Sequence, residues 1–550
     1  MADGEVATAG QAAAGAASNA EKPAAIAVIT AVSGFKLTCN LFGARQATNV
    51  SPYANVCIGD LVKIPTSRSM AFGFIENLAF QSSANAPGTG AAVAEIQLLG
   101  ELTAGTGDKP AAFSRGVSAY PTLGAPVLAA TKEDIAVIYA RPNTWTLPIG
   151  SLYQDPGRTT YLMSQEFLSK HSAILGTTGS GKSCALTLIL RSLLSAHQNG
   201  HVVMLDPHGE YAPAFGDLAE CIRPETLQLP HWLLSFDELI EVLCSRDPLA
   251  RTHEVPILKE VVLGAKRDFL GTSEQLATLT VDTPVPYRLS AVLNRISDAM
   301  GKLDRPDSSL PYLRLSTTIE NLRRDRRYNF MFDGLAVRDN MTEILSRILR
   351  IPVDGKPITI LDISAVPSEI VNVVVSLLCR LIFDFALWSD RSEAIPILVV
   401  CDEAHRYIPR DESLGFEPTR RSIARIAKEG RKYGVSLCLV TQRPSEISET
   451  ILSQCSTVFA LRMNNEKDQN FVASVLPDSA AGLLNALPTL RQREAIVVGE
   501  GVAHPMRVRF SELEAKFRPK GEAANFPQAW EDDSKGRDFL AAVIDRWRRQ

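Results

Sequence analysis

Residues Gly176-Thr177-Thr178-Gly179-Ser180-Gly181-Lys182-Ser183 have the spacing G-x-x-x-x-G-K-[ST]. Glycines at these positions let successive backbone N–H groups curl around a phosphate, and the N-terminus of a following helix adds a favourable dipole. Lys182 would reach the β- and γ-phosphates of a nucleoside triphosphate, and the Ser183 hydroxyl would ligate Mg²⁺. The expected nucleotide contacts run from Gly176 through Cys184. A second candidate is the acid pair Asp402-Glu403, which closes the apolar run Ile397–Cys401. An acid at such a strand end can hold Mg²⁺ beside a bound triphosphate, usually through water, and a second acid can polarise the attacking water. Asp402 is assigned to the metal and Glu403 to the base. The run Ser436–Val440 ends in Thr441-Gln442, and Gln442 is the candidate for contact with the γ-phosphate or the water. The competing structural readings are an acid pair that caps the next helix and a strand-end amide bonded to backbone.

These groups need a scaffold that brings strand ends together. The apolar run Ser172–Leu175 precedes the glycine-rich loop, and the helix-forming run Ala185–Leu194 follows it. Val202–Leu205 reads as another strand and ends in Asp206-Pro207-His208-Gly209-Glu210-Tyr211, where Asp206, His208 and Glu210 are accessory candidates. Strand patterns recur at Ile358–Asp362, Ile397–Cys401, Ser436–Val440, Thr457–Leu461 and Arg493–Val498, with helices between most of them. That alternation predicts a parallel sheet covered on both faces, an α/β fold with a RecA-like P-loop NTPase core.

The interval between Lys182 and Asp402 is longer than a compact core requires. Residues 149–230 and 356–510 are expected to form the two parts of the core, with 231–355 as a helical insertion. Ser235 and Glu238 have the spacing of a capping box, and helical patterns cover 255–266, 288–303 and 340–350. The run Arg323-Arg324-Asp325-Arg326-Arg327 reads as a solvated helix face or as a DNA or subunit contact. Before the core, residues 25–148 show short β-rich runs with turn signals at Gly59-Asp60 and Pro87-Gly88, the pattern of a small β-barrel. Residues 1–24 read as a flexible Ala/Gly-rich tail. The extension 511–550 carries an amphipathic helix with Phe539, Leu540, Val543, Ile544 and Trp547 on one side.

A chain of 550 residues is too long for one core. Its net charge of −4 carries no global nucleic-acid signature, so any DNA contact must be local. The nine cysteines contain no C-x-x-C pair, and Cys379, Cys401 and Cys438 lie in apolar runs as small buried hydrophobes. This usage suits a reducing cytoplasmic setting without disulfides or zinc. No run of eighteen uncharged apolar residues is evident, so no membrane contact is expected. The N-terminus lacks the charge and apolar pattern of a signal peptide.

Taken together, the motifs resemble those of the HerA family of hexameric DNA translocases, relatives of FtsK. The matching runs are Gly176–Ser183, Asp206–Tyr211, Asp402-Glu403-Ala404-His405-Arg406-Tyr407-Ile408-Pro409, Ala427–Gly434 and Thr441–Ile447. Ile58–Val62 and Arg115–Gly124 are similar to the family's HAS-barrel, and the likeness covers roughly residues 25 to 510. The resemblance implies a homo-hexamer with ATP and Mg²⁺ at subunit interfaces and duplex DNA through the pore. It also implies a partner, either a NurA-like nuclease or an effector of antiphage defence. The implied function is an ATP-driven duplex-DNA translocase or helicase. The alternative is an ATP-regulated ring scaffold that activates a bound effector. The monomeric DEAH-class helicases share Asp402–His405, but they need paired cores in one chain and a Q-R-x-G-R-x-G-R run, and neither is present. In a ring, an arginine acting across the interface would stabilise transferring charge. Arg421, Arg425, Lys428 and Lys432 share one helical stripe, and Arg431 points off it, which makes Arg431 the candidate finger. Arg425 and Arg462 are rivals, and surface pairing with acids such as Glu429 is the plain reading. The loop Pro409–Thr419 could line the pore with Arg410 facing phosphates.

Overall fold

The computed structural model describes residues 25–42, 56–81, 91–103, 112–302, 309–332, 337–477, 481–520, 530–531 and 536–549. The expected tail at 1–24 and the turn at Pro87-Gly88 lie outside the described residues. The chain forms two units, Met1–Ile138 and Tyr139–Gln550.

The first unit contains β1 (Ala25–Ser33), β2 (Lys36–Leu41), β3 (Leu61–Pro65), β4 (Met70–Gln81), β5 (Ala91–Thr103), β6 (Ala112–Arg115) and β7 (Pro126–Ala129). Their order is β2-β1-β7-β3-β4-β5-β6, and an added pairing of β2 with β5 closes the sheet into a barrel. Closure pairs both edges of six strands and leaves β6 hanging from β5. Ile29, Leu37, Ile64, Ile75, Ile96 and Val127 fill the interior. The long β4–β5 ladder shifts register between Phe72 and Gly73 and again between Ile75 and Asn77, and such bulges bend a strand enough to close a small barrel. Gly73 is required there, because a Cβ would lie 2.5 Å from the Gln97 carbonyl oxygen.

The second unit is built on β8 (Thr146–Leu152), β9 (Thr159–Met163), β10 (His171–Leu175), β11 (Val202–Asp206), β12 (Ala219–Ile222), β13 (Ile358–Asp362), β14 (Ile397–Cys401), β15 (Val435–Thr441), β16 (Cys455–Leu461), β17 (Glu494–Gly499) and β18 (Met506–Phe510). The order is β12-β13-β11-β14-β15-β10-β16-β17-β18-β8-β9. From β12 to β16 every pairing is parallel, as expected. From β17 onward the pairings are antiparallel, so the sheet is mixed rather than parallel throughout. The loops β8–β9 and β17–β18 are too short for a crossover, and a short loop dictates a hairpin. Strand β8 spans the boundary expected at residue 148 and belongs to this larger sheet.

The stretch between β12 and β13 is helical, with helices Phe236–Leu243, Pro248–Leu270, Leu289–Met300, Leu310–Arg324 and Met341–Leu349. The capping box forms as expected: Ser235 accepts from the Glu238 N–H, and the Glu238 carboxylate accepts from the Ser235 N–H. Glu238 also receives hydrogen bonds from Ser376 and Arg380, which anchors the insertion to the helix Ser368–Trp388. Within that helix, Ile370–Trp388 is long and apolar enough to cross a membrane by composition, but most of it is buried against the fold. Near the end of the insertion, Arg324 pairs with Glu320 and Arg327 with Asp325, so two arginines of the run at 323–327 are locally paired on an exposed surface. The C-terminal helix Arg537–Arg549 forms, with Phe539, Leu540, Ile544 and Trp547 exposed.

Candidate nucleotide site

Strand β10 delivers the chain into the loop 176–181, and the helix Lys182–Ala196 leaves it. Gly179 (φ +74°) and Gly181 (φ +101°) occupy backbone conformations that side chains rarely adopt. At Gly176 the limit is space, since a Cβ would lie 2.8 Å from both Leu461 Cβ and Ser180 Oγ. The loop hangs from the ends of the flanking strands. The Thr177 N–H and hydroxyl both donate to the Arg462 carbonyl at 3.0 Å. The Gly176 N–H donates to the Thr441 carbonyl at 3.3 Å. Thr178 donates to the Gln442 side-chain oxygen, which ties the tip of β15 to the loop. Lys182 Nζ donates to the Thr177 carbonyl at 3.1 Å. Burial lowers its pKa, while Glu403, Asp402 and Glu210 oppose that shift.

Because β11 lies beside β14 in parallel register, their terminal acids are neighbours. Asp206 is fully buried and accepts from the His208 and Tyr211 N–H groups at 3.2 and 3.0 Å. Tyr211, also fully buried, donates its hydroxyl to Asp402 Oδ2 at 3.2 Å and bonds the Ser183 side chain. The helix N-terminus and the ends of two strands are thus joined through one phenol. Burial pushes Asp402 up to about 7; the charges of Glu403 and Asp206 act in the same direction, against hydrogen bonds from the Glu403 N–H and Tyr211. Glu403 sits in the left-handed region, with φ +48° and ψ +45°. That conformation costs of order 1–3 kcal/mol for a side-chain-bearing residue. Its Oε2 lies 3.2 Å from His405 Nδ1, and its Oε1 lies 3.9 Å from His208 Nε2. His405 Nδ1 is also 3.2 Å from the Thr441 hydroxyl. Burial depresses the His405 pKa, and the Glu403 carboxylate resists that.

One constellation therefore contains Lys182, Ser183, Asp206, His208, Asp402, Glu403 and Gln442. Glu210 joins through its charge beside Lys182 and Cys184, and its carbonyl accepts from the Lys520 N–H at 3.0 Å. Arg462 supports the loop through its carbonyl. The basic helix Glu417–Glu429 is less available than its composition indicates. Arg420 pairs with Glu412 and Glu417. Arg421 pairs with Asp237 at 2.9 Å. Arg425 pairs with Asp384 at 3.4 Å and stacks on Phe383, 4.2 Å from the ring centroid. Arg431 lies exposed in the following turn, Gly430–Tyr433, with no carboxylate in ion-pair range among the described residues. Arg410 stacks on Phe471 at 5.5 Å, and its N–H donates to the Glu446 carbonyl.

Sequence reasoning did not assign roles to Tyr211, His405, Thr441 or Arg493. The first three lie in quoted motifs, but their partners are distant in sequence. Arg493 has φ +66°, and its N–H nitrogen lies 3.6 Å from the Cβ position of Gly181. Arg493 and Arg518 share the Glu512 carboxylate at 3.2 and 2.9 Å, which brings the segment after β18 to the mouth of the loop.

The phosphate-binding loop, the strand-end acid pair and the strand-end amide define the class: the chain is a P-loop ATPase. Residues 147–382 match the family described as "Helicase HerA, central domain". It is 27% identical over 463 residues to the "DNA double-strand break repair helicase HerA" of Pyrococcus furiosus, covering 77% of each chain. It is 27% identical over 437 residues to the protein of the same name from Sulfurisphaera tokodaii, covering 77% of this chain and 80% of the other. Among solved structures it is similar to VirB4 of Thermoanaerobacter pseudethanolicus, at 14% identity and a TM-score of 0.49 over 69% of this chain and 99% of that one.

Proposed function

We propose that this chain is an ATP-driven duplex-DNA translocase that assembles as a homo-hexamer and works with a partner nuclease or antiphage effector. The observation that carries the reading is the convergence of Lys182, Asp402, Glu403 and Gln442 on one loop. The relatives named as double-strand break repair helicases support DNA as the substrate. In this reading Lys182 binds the β- and γ-phosphates, and the backbone of Gly176 through Cys184 cradles them. Ser183 and Asp402 are oxygen donors joined through Tyr211, a set that fits Mg²⁺. They would hold the ion, which supplies charge neutralisation at the phosphates. Glu403 takes the proton of the attacking water, and Gln442 orients that water against the γ-phosphate. Arg431 reaches the neighbouring subunit's nucleotide. DNA contacts fall on phosphates through local cationic groups, Arg410 among them, so affinity falls with salt and varies little with sequence.

The partner docks on the barrel. Phe42, Ile58 and Phe80 support this, being 51%, 53% and 71% exposed on a unit none of whose described residues belongs to the ATPase constellation. Protein lacking residues 1–138 should lose a partner that the full-length chain captures. Equal capture by both would place the partner elsewhere.

The direct test is the ATPase rate with and without duplex DNA, on protein whose mass is measured by light scattering. A six-subunit mass and DNA-stimulated turnover are expected. A monomer with and without ATP would contradict the ring. A ring indifferent to DNA would leave an ATP-regulated scaffold.

A further inference from the structure

We propose that His405 is a positioning residue that ties the Glu403 carboxylate to the strand end carrying Gln442. The inference rests on the assignment of Glu403 as the base.

One nitrogen, His405 Nδ1, lies 3.2 Å from Glu403 Oε2 and 3.2 Å from the Thr441 hydroxyl. A single ring N–H cannot serve both at full strength. In the structure the hydrogen-bond geometry favours Thr441, and the buried Oε2 of Glu403 has no hydrogen-bond partner. A carboxylate oxygen without a donor is costly when it is removed from water, and Glu403 stands on a left-handed backbone that fixes its approach to the site. The nearest donor that could satisfy that oxygen is therefore held by the residue next to Gln442.

Thr441 is itself constrained. Its hydroxyl also accepts from the Arg443 N–H at 3.0 Å, and its carbonyl receives the Gly176 N–H. Gln442 is bonded to Thr178 of the phosphate-binding loop. The contacts run from Glu403 through His405 and Thr441 to Gln442 and Thr178. A shift of Gln442 against the γ-phosphate displaces Thr441 and transfers the imidazole N–H between the threonine and the carboxylate. In the first arrangement the Glu403 carboxylate is unanchored. In the second the N–H holds Oε2 in the position from which it takes a proton from water. Hydrolysis is thereby keyed to occupancy at the γ-phosphate end of the site.

The test compares three variants by ATP turnover, with the melting temperature as a control on folding. Asn places an amide donor at the Nδ1 position, whereas Gln carries its donor farther out. His405→Ala and His405→Gln should each lower kcat about tenfold, a loss in the range that misplacement of a catalytic group produces. The KM for ATP should change less than twofold, and His405→Asn should recover most of the rate. If His405→Ala does not fold, the order of the Asn and Gln variants decides the matter. Thr441→Val should also be slow, and combined with His405→Ala it should cost no more than the worse single change, because both remove one link.

Wild-type kcat in His405→Ala, equal rates for the Asn and Gln variants, or a KM rise that accounts for the loss would each overturn the proposal. A Glu403→Gln variant measured alongside keeps the two claims apart. If it is inactive while His405→Ala is normal, only the positioning role fails. If it turns over at the wild-type rate, the base assignment fails.

Discussion

The hydroxyl of Tyr211 donates to Asp402 Oδ2 at 3.2 Å, although the two residues are 191 positions apart in the chain. The bond exists because β11 and β14 are neighbours in the sheet and Tyr211 lies just past the end of β11. It joins the strand-end acid to Ser183, the other proposed Mg²⁺ donor.

Tyr211→Phe should therefore weaken metal use more than nucleotide binding. The Mg²⁺ concentration for half-maximal ATPase should rise about tenfold, as for loss of a group that orients a metal ligand. Titration of turnover against Mg²⁺ at saturating ATP checks this. An unchanged midpoint would reduce the contact to packing.

Lys182→Ala should abolish turnover, because Lys182 is the cation assigned to the β- and γ-phosphates. Glu403→Gln should still bind ATP and hydrolyse it about 10²- to 10⁴-fold more slowly, since it keeps the shape and loses the base. Binding of a fluorescent ATP analogue alongside phosphate release separates the two effects. Wild-type turnover in Glu403→Gln would remove it from the base role.

The strand-end placement of the loop 176–183, the acids 402–403 and Gln442 was legible in the sequence, because each sits at the end of a short apolar run whose type is plain. The capping box at Ser235 and Glu238 was legible because its spacing is local. The Tyr211–Asp402 and His405–Thr441 contacts were not, because each depends on which strands become neighbours. The antiparallel part of the sheet was missed because hairpins and crossovers differ in loop length rather than strand composition. The particular acids that meet the basic stripe were not legible either, because Arg421 and Arg425 pair with Asp237 and Asp384 on separate helices. Helical periodicity identifies a face but cannot say what packs against it.

Arg431→Ala should preserve ATP binding and assembly while losing most hydrolysis, about 10³-fold if it supplies charge across an interface. Mixing it with Lys182→Ala subunits should restore some turnover, since some interfaces then pair an intact loop with an intact arginine. Mixed assemblies that stay inactive would shift the role to Arg462, because Arg425 is already bound to Asp384 within its own chain.

The helical insertion should be sensitive to acid through His231. Its ring is 1% exposed, and Nε2 lies 2.9 Å from the Tyr287 carbonyl. Burial lowers its pKa from 6.5 to about 4, so the unfolded chain binds a proton before the folded chain does. The stability this neutral ring contributes is complete above pH 6.5 and is lost as pH falls from 6.5 towards 4. The melting temperature should fall across that window, and His231→Gln should flatten the slope. An identical slope in the variant would assign the acid sensitivity to other groups.

ATP-dependent displacement of a third-strand oligonucleotide from a DNA triplex reads movement along duplex directly. Displacement is expected with ATP and Mg²⁺, none with a non-hydrolysable analogue, and none from Glu403→Gln under the same conditions. Active ATP hydrolysis with the third strand left in place would contradict translocation.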